Sequence, residues 1–324
     1  MSKVITVSAP GKLMLFGEHA VVYGRPCIVT AVNQRMNTTV ELTEEPIFQL
    51  EAPDVSVTDY KKAIEDVGVG EIPKGAKFVE VAVKNFLEKY PFGGGVKVET
   101  KSEFSSEFGF GSSSASTVCV VKALAETSGA KLDNKAIFDL AYKTVLDIQG
   151  KGSGFDVAAA TFGGTLYYVT PGKIIEPLKI TSLPLIVGYS GVKADTVTLL
   201  NQVSKLAEKY PQVIEDIYTT IGGLVEKAKI AILSKDFQSL GELMNLNQGL
   251  LATLGVSTQK LASMIYSARE SGAYGAKLSG AGGGDCIISF TSEDTIKVVK
   301  QAINNAGGQV LDIETNVEGV RIET

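Results

Sequence analysis

Glu107-Phe-Gly-Phe-Gly-Ser-Ser-Ser-Ala-Ser116 is the stretch on which the reading of this chain turns. Glycine at 109 and 111 lets the backbone bend and approach a ligand with no Cβ in the way. Three serines follow, and Val118, Val120, Val121 and Leu124 then mark an apolar helix predicted over Ser113–Ser128. The first amides of a helix lack partners within it and carry partial positive charge, so this junction suits a polyphosphate. Ser112 and Ser113 add hydroxyls for a phosphate or for Mg²⁺. A Gly/Ser turn with a serine cap is the plain alternative. No Gly-Lys-Ser/Thr ends the loop, so it is not of the Walker type. Position 114 is Ser where a dinucleotide fingerprint needs its third glycine.

Outward from this loop, the other glycine-rich places carry the remaining chemistry. Lys277-Leu-Ser-Gly-Ala-Gly-Gly-Gly-Asp285 precedes an apolar strand at 286–290, and its glycines imply backbone close to a ligand or to neighbouring backbone. Gly150-Lys-Gly-Ser-Gly-Phe-Asp156 sets a carboxylate beside a glycine loop. Partial burial near a cation would keep Asp156 ionised and able to accept or orient a hydroxyl proton. A helix-start aspartate favoured by the macrodipole is the competing reading. In Ser8-Ala-Pro-Gly-Lys12, Pro10 and Gly11 read as a turn between short strands at Lys3–Ser8 and Lys12–Phe16, with Lys12 at a sheet end. Glu18 and His19 are a polar pair inside apolar sequence, and also read as turn residues with satisfied hydrogen bonds.

Composition narrows the function classes. Of 324 residues 44% are apolar, enough for a sizeable core. The 31 basic and 36 acidic residues are interspersed at net charge −5, which argues against nucleic acid as a partner. No apolar run reaches the length of a membrane span, and the start lacks the apolar core of a signal peptide. Cys27, Cys119 and Cys286 are too few and too far apart for a disulfide framework, so a cytoplasmic location is expected. The single histidine, His19, would have to serve any hydrolytic triad, and a histidine-rich zinc site is excluded.

Helices are predicted at Lys77–Lys89, at Asn134–Ile148 with Asp133 as cap, at about 195–208, 211–233, 236–251 and 258–271, and at Glu293–Asn305. Strands are predicted at Met36–Leu42, Val96–Thr100, Thr165–Val169, Leu183–Tyr189, Cys286–Phe290, Gln309–Glu314 and Gly319–Glu323, and residues 52–73 read as an irregular surface loop. Helices and strands mixed without strict alternation point to α+β architecture, with a domain boundary near residue 180: 1–180 for ATP and phosphate, 181–324 as a C-terminal domain.

Three motifs, APGKLMLFGEHAVVYG (9–24), GFGSSSAS (109–116) and GAKLSGAGGGDC (275–286), with IQGKGSGFD (148–156) between the last two, stand in the order and at the spacing of the GHMP small-molecule kinases. The chain resembles that family nearly end to end. The resemblance implies an N-terminal ribosomal-protein-S5-like α/β domain, a C-terminal ferredoxin-like α+β domain, and a site between them. It implies ATP- and Mg²⁺-dependent phosphorylation of a small alcohol. By motif match Lys12 and Asp156 are catalytic. Gly109, Phe110, Gly111, Ser112, Ser113, Ser114, Gly282, Gly283 and Gly284 hold the nucleotide phosphates. Glu18, His19, Ser153, Gly154, Thr196 and Ala281 face the acceptor. Ser112, Ser113 and Asp147 serve the metal. Many members carry an acidic metal ligand one turn before the Gln-Gly dipeptide; here Val145 takes that place and Asp147 is the nearest carboxylate. GEHAVVYG and residues 240–257 imply mevalonate, phosphorylated at its 5-hydroxyl. GSGFDVAAA and Asp285 imply phosphomevalonate as the alternative, for which Arg25, Lys151 and Lys193 are candidate cations. A nucleotide-binding module without catalysis is the reading from another class, and the presence of Lys12 and Asp156 argues against it. The small-molecule substrate is the expected partner, with a homodimer left open.

Overall fold

Val4–Phe16 forms one continuous strand, β1, in place of the two short strands and turn expected there. Pro10 and Gly11 sit at a register shift against the neighbouring strand. A proline cannot donate to a ladder, and a bulge is where a strand tolerates it. Just past the bulge the Lys12 amide donates to the Phe110 carbonyl at 2.9 Å. The glycine loop is thereby tied to the strand that carries the lysine.

The computed structural model describes residues 3–105, 107–181 and 183–323. After β1 come β2 (Cys27–Thr43), β3 (Ile47–Ala52), β4 (Val57–Ala63), α1 (Lys77–Lys89), β5 (Gly95–Ser102), α2 (Ser112–Ser128), α3 (Asn134–Gln149), α4 (Phe155–Phe162), β6 (Thr165–Val169) and β7 (Ile174–Pro177). The second half runs β8 (Leu185–Tyr189), α5 (Thr196–Lys209), α6 (Pro211–Ser234), α7 (Phe237–Thr253), α8 (Gln259–Glu270), β9 (Gly275–Ser279), β10 (Cys286–Phe290), α9 (Ile296–Asn305), β11 (Gln309–Leu311) and β12 (Arg321–Ile322).

The first sheet has the order β12-β1-β2-β5-β3-β4, with β6 on β2 and β7 on β6. Among the described residues only β3 and β5 pair in parallel. The second sheet is antiparallel, β11-β8-β10-β9. Helix α2 lies on β1 and β2 and is covered in turn by α1 and α3. That sandwiching explains why it reads as apolar nearly all round: Val118, Cys119, Val121 and Leu124 are all fully buried. The Asp133 carboxylate accepts from the Ala136 amide at 2.8 Å and caps α3, as the sequence predicts. The two sheets meet where Ser279 Oγ in β9 accepts from the Met14 amide at 3.0 Å and donates to the Met14 carbonyl at 2.9 Å.

Further features depart from expectation. Residues 52–73 contain β4, an edge strand whose exposed face is charged, which is how sheets protect their edges. Helix α4 and strand β9 are also additions to the expected elements, and α4 escapes because a short alanine-rich run has little periodicity. The tail does not stay with residues 181–311. Thr315 bridges to Val32, Glu318 bridges to Gly163, and β12 pairs with β1 in the first sheet. Arg35, 7% exposed, fastens this return by donating to the carbonyls of Glu318 and Gly319 at 3.0 and 2.7 Å and to Ser8 Oγ at 2.6 Å. The three cysteines are free and buried, and among the described residues no helix is long and apolar enough to cross a membrane.

Candidate active site

A cleft of about 370 Å³ opens between the two sheets, lined from one side by Lys12, Gly111, Ser113 and Asp156 and from the other by Thr196 and Ala281. Gly111, at φ +79°, is its pivot. A Cβ there would lie 3.3 Å from Lys12 Cε and 3.6 Å from Asp156 Cβ, so both side chains converge on this residue, and the left-handed φ is what calls for glycine. Lys12, 8% exposed, donates Nζ–H to the Gly109 carbonyl at 2.8 Å and stands 5.5 Å from the Phe155 ring centre. Its hydrogen bond goes to that carbonyl and not to Asp156, whose carboxylate lines the cleft. Asp156 sits in the first turn of α4. Burial pushes its carboxyl above the usual carboxylate range, and the Lys12 charge pulls it back.

Helix α2 begins at Ser112 behind Gly111, and no side chain caps it. Ser112, Ser113 and Ser114 line the cleft at this end of the helix, whose opening amides have no side-chain cap. Phe110, expected among the phosphate residues, does another job. It is 1% exposed, and its ring packs 5.8 Å from that of Phe104 and 5.7 Å from that of Phe108. It anchors the loop, and only its carbonyl reaches out, to the Lys12 amide.

The second glycine run is mostly closed. A Cβ on Gly282 would collide with the Val256 carbonyl, one on Gly283 with the Leu199 side chain, and one on Gly284 with the Val192 carbonyl. These three glycines do not line the cleft, contrary to expectation; what approaches them is the protein itself. Gly280 and Ala281 do line it, as does Asp285.

On the acceptor side, Glu18 is 1% exposed and both its oxygens are engaged. One pairs with Lys277 Nζ, and the other accepts from Asn247 Nδ2 at 3.0 Å. Lys277 is itself fully buried and also donates to the Leu278 carbonyl at 2.5 Å. Burial pulls the Lys277 ammonium below its ordinary range, and Glu18 opposes that. His19 follows at φ +60°. Its Nε2 is 2.9 Å from the Ala281 carbonyl. A carbonyl only accepts, so Nε2 carries the proton and Nδ1 is an acceptor. That Nδ1 is buried and has no partner among the described residues. Burial holds the ring below its ordinary pKa, hence neutral.

Ser153 and Gly154 line the cleft, and the Ser153 carbonyl is pinned by the hydroxyls of Tyr168 at 2.6 Å and Thr170 at 2.8 Å. Thr196 opens α5 behind its cap, Asp195. Lys151 and Lys193 reach the cleft, whereas Arg25 pairs with Glu215 elsewhere. Asp147 is not where a metal ligand would stand. Val145 and Gln149, four residues apart on α3, face the cleft; Asp147, about 200° of helix turn from Val145, accepts from Asn85 Nδ2 at 2.9 Å and Lys143 Nζ at 2.6 Å. Among the described residues no group of three or more His, Cys, Asp or Glu side chains could hold a metal alone.

The motifs assign no role to Lys277 or Asn247. A signal for Lys277 is nevertheless present: a lone lysine in an otherwise apolar and small-residue strand, Gly275–Ser279, is one that has found a buried partner.

Comparison with known proteins bears on the family and the fold. The family model described as the GHMP kinases N terminal domain matches residues 77–164, and that described as GHMP kinases C terminal matches residues 228–309. A mevalonate kinase of Thermococcus gammatolerans is 38% identical over 331 residues, spanning 98% of each chain. The crystal structure of the Methanococcus jannaschii mevalonate kinase superposes with a TM-score of 0.81 at 26% identity, covering 98% of this chain and 99% of that one. That of the L. major mevalonate kinase in complex with R-mevalonate gives 0.78 at 26% identity, with 98% and 99% covered. With its motifs, its two-domain fold and relatives of this similarity in accord, the chain belongs to the GHMP kinase family.

Proposed function

We propose that this chain transfers the terminal phosphoryl group of ATP to the 5-hydroxyl of mevalonate, giving 5-phosphomevalonate and ADP, as a cytoplasmic enzyme. The observation that carries the reading is the convergence of Lys12 and Asp156 on Gly111, beside the uncapped start of α2. Full-length relatives named as mevalonate kinases support the choice of acceptor.

Phosphoryl transfer needs positioning and charge neutralisation more than covalent help. The α2 amides and the hydroxyls of Ser112 and Ser113 hold the phosphates, and the Lys12 ammonium adds positive charge at the same loop. Asp156 receives or orients the proton of the attacking hydroxyl, whose oxygen bonds to the terminal phosphorus as the bridging oxygen leaves with ADP. The neutral ring of His19 lines the acceptor end of the cleft. Serine hydroxyls at an uncapped helix start fit Mg²⁺, which takes one or two protein oxygens and completes its shell with phosphate and water. Ser112 and Ser113 would hold it, and when bound it supplies charge neutralisation on the outer phosphates.

Phosphomevalonate is the alternative acceptor, favoured by Lys151 and Lys193 at the cleft. ADP release with each acceptor in turn separates the two. Turnover of mevalonate is the expected result, and turnover of phosphomevalonate alone would replace the first reading by the second.

A further inference from the structure

Mevalonate carries a carboxylate at the end of the molecule remote from the attacking hydroxyl. Asp156 serves the hydroxyl. A carboxylate that leaves water for a cleft needs a cation or hydrogen-bond donors there, and most of those near this cleft are engaged. The start of α2 is given to the phosphates. The start of α5 is taken by its own cap: Asp195 accepts from the Thr198 amide at 3.2 Å and from the Thr198 hydroxyl at 2.7 Å. His19 is neutral, and its Nε2–H is committed to the Ala281 carbonyl. Lys277 is buried against Glu18.

Among the described residues the lysines that line the cleft are Lys12, Lys151 and Lys193. Lys12 lies on the phosphate loop, bonded to the Gly109 carbonyl. The charge of Lys193 acts on Asp285, a carboxylate of the cleft wall. Lys151 is placed differently. Its Nζ donates to Asn201 Oδ1 on α5 at 3.2 Å, and among the described residues this neutral oxygen is its partner and no carboxylate pairs with it. An ammonium has three N–H donors, so its charge and its other donors are free for a ligand. Its backbone is held as well. The Gly150 amide donates to the Leu146 carbonyl at 2.8 Å as α3 ends. The Tyr142 hydroxyl donates to the Gly152 carbonyl at 2.7 Å, and Tyr168 and Thr170 hold that of Ser153. The same pinned loop delivers Asp156 in the first turn of α4. One loop therefore presents a carboxylate for a hydroxyl at one end and an unpaired ammonium, steered by a neutral side chain of α5, at the other.

We propose that Lys151 determines acceptor specificity: its ammonium, steered by Asn201, pairs with the carboxylate of the acceptor, so that the site takes hydroxy acids in preference to the corresponding neutral alcohols. This rests on the phosphoryl-transfer reading above, and it gives Lys151 to the acid end of mevalonate and not to a second phosphate.

Steady-state kinetics of the full chain with ATP and Mg²⁺ test it. Lys151 is exposed, so substituting it removes nothing from the core. Lys151→Gln is expected to raise KM for mevalonate about tenfold or more, the scale of one charge-assisted hydrogen bond. Its kcat and its KM for ATP are expected to stay within about threefold of wild type, the pattern of a contact made equally before and during the reaction. Lys151→Arg, which keeps the charge, is expected to bring KM for mevalonate back to within about threefold. The primary amide of mevalonate serves as a competitor of mevalonate, which reads its affinity whether or not it is phosphorylated. Its Ki is expected to be the same for wild type and Lys151→Gln within about threefold. A Gln variant with wild-type KM for mevalonate overturns the proposal, including one that loses only its turnover of phosphomevalonate, which would give the lysine to a phosphate. An Arg variant as impaired as Gln, or an amide Ki that rises as far as the mevalonate KM, also overturns it, because the role would then be structural. The wild-type control separates the two levels: no turnover of mevalonate removes the functional reading, while wild-type turnover with an unaffected Gln variant removes only the role of Lys151.

Discussion

The two glycine-rich segments, 109–113 and 280–284, have nearly the same composition and opposite uses. In the first, glycine takes the left-handed turn on which Lys12 and Asp156 converge, beside a helix start with no side-chain cap. In the second, Gly282, Gly283 and Gly284 are pressed against Val256, Leu199 and Val192, and only Gly280 and Ala281 of the run face outward into the cleft. Glycine density marks where backbone comes close to something. It does not say whether that something is a ligand or the protein. The difference here follows from what stands behind each loop: a helix start with unpaired donors behind the first, a hairpin between β9 and β10 behind the second.

Substitutions can break or sharpen this contrast. The largest effect belongs to Asp156→Asn, which keeps the shape of the first site and removes its proton acceptor. Its kcat is expected to fall about 10²–10⁴-fold, while calorimetric titration finds ATP affinity nearly unchanged. A variant that keeps most of its rate would end the role given to Asp156. Gly111→Ala comes next. Alanine is strained at φ +79°, and a shift of the loop that relieves it misplaces Lys12 and Asp156; kcat should fall on the order of 10²-fold, the scale of a 1 Å misplacement. Gly282→Ala should show the reverse pattern. At φ +83°, and facing the Val256 carbonyl, it is expected to cost about 2–3 kcal/mol of stability in a denaturant titration, with kcat per folded molecule near wild type. If Gly282→Ala instead raised KM for ATP at an unchanged midpoint, the second segment would be a phosphate loop after all.

The smallest effect concerns His19, whose Nε2–H is held by Ala281 in the second segment. It is the only histidine in the chain, so one imidazole signal in an NMR titration reports it. Burial lowers its pKa below 6.5 in the folded protein. The folded state therefore binds this proton less readily than the unfolded one. The His19 contribution to stability is complete above about pH 6.5 and is lost as pH falls from there toward the folded value. A signal titrating at or above 6.5 would mean that the Ala281 side does not enclose the ring.

Much of the fold was legible because its signals are local. Strand β6 and strand β10 are apolar runs with clear flanks and fall where predicted, and the Asp133 cap marks the start of α3. β4 was hidden because edge strands are polar by necessity. At the site, proximity along the chain misled for Asp147: two residues from Val145 is the far side of a helix. Glu18 and Lys277 show the other limit. The lone lysine of β9 announces a buried partner but not which one, and the pair depends on β1 and β9 being brought together by both sheets. Phe110 sits in a ligand loop but points into the core, a distinction that side-chain apolarity hinted at and motif matching ignored.

The Arg35 clasp on residues 318 and 319 has a consequence for how the molecule is made. During translation, the strands that carry Lys12 and the glycine loop emerge early, yet the edge beside Val7 and Ser8 stays unpaired until β12 leaves the ribosome. The whole second sheet is synthesised in the interval. The nascent N-terminal half must wait with one flank open, and ribosome-bound chains stalled before residue 315 should be the form most exposed to chaperones and proteases.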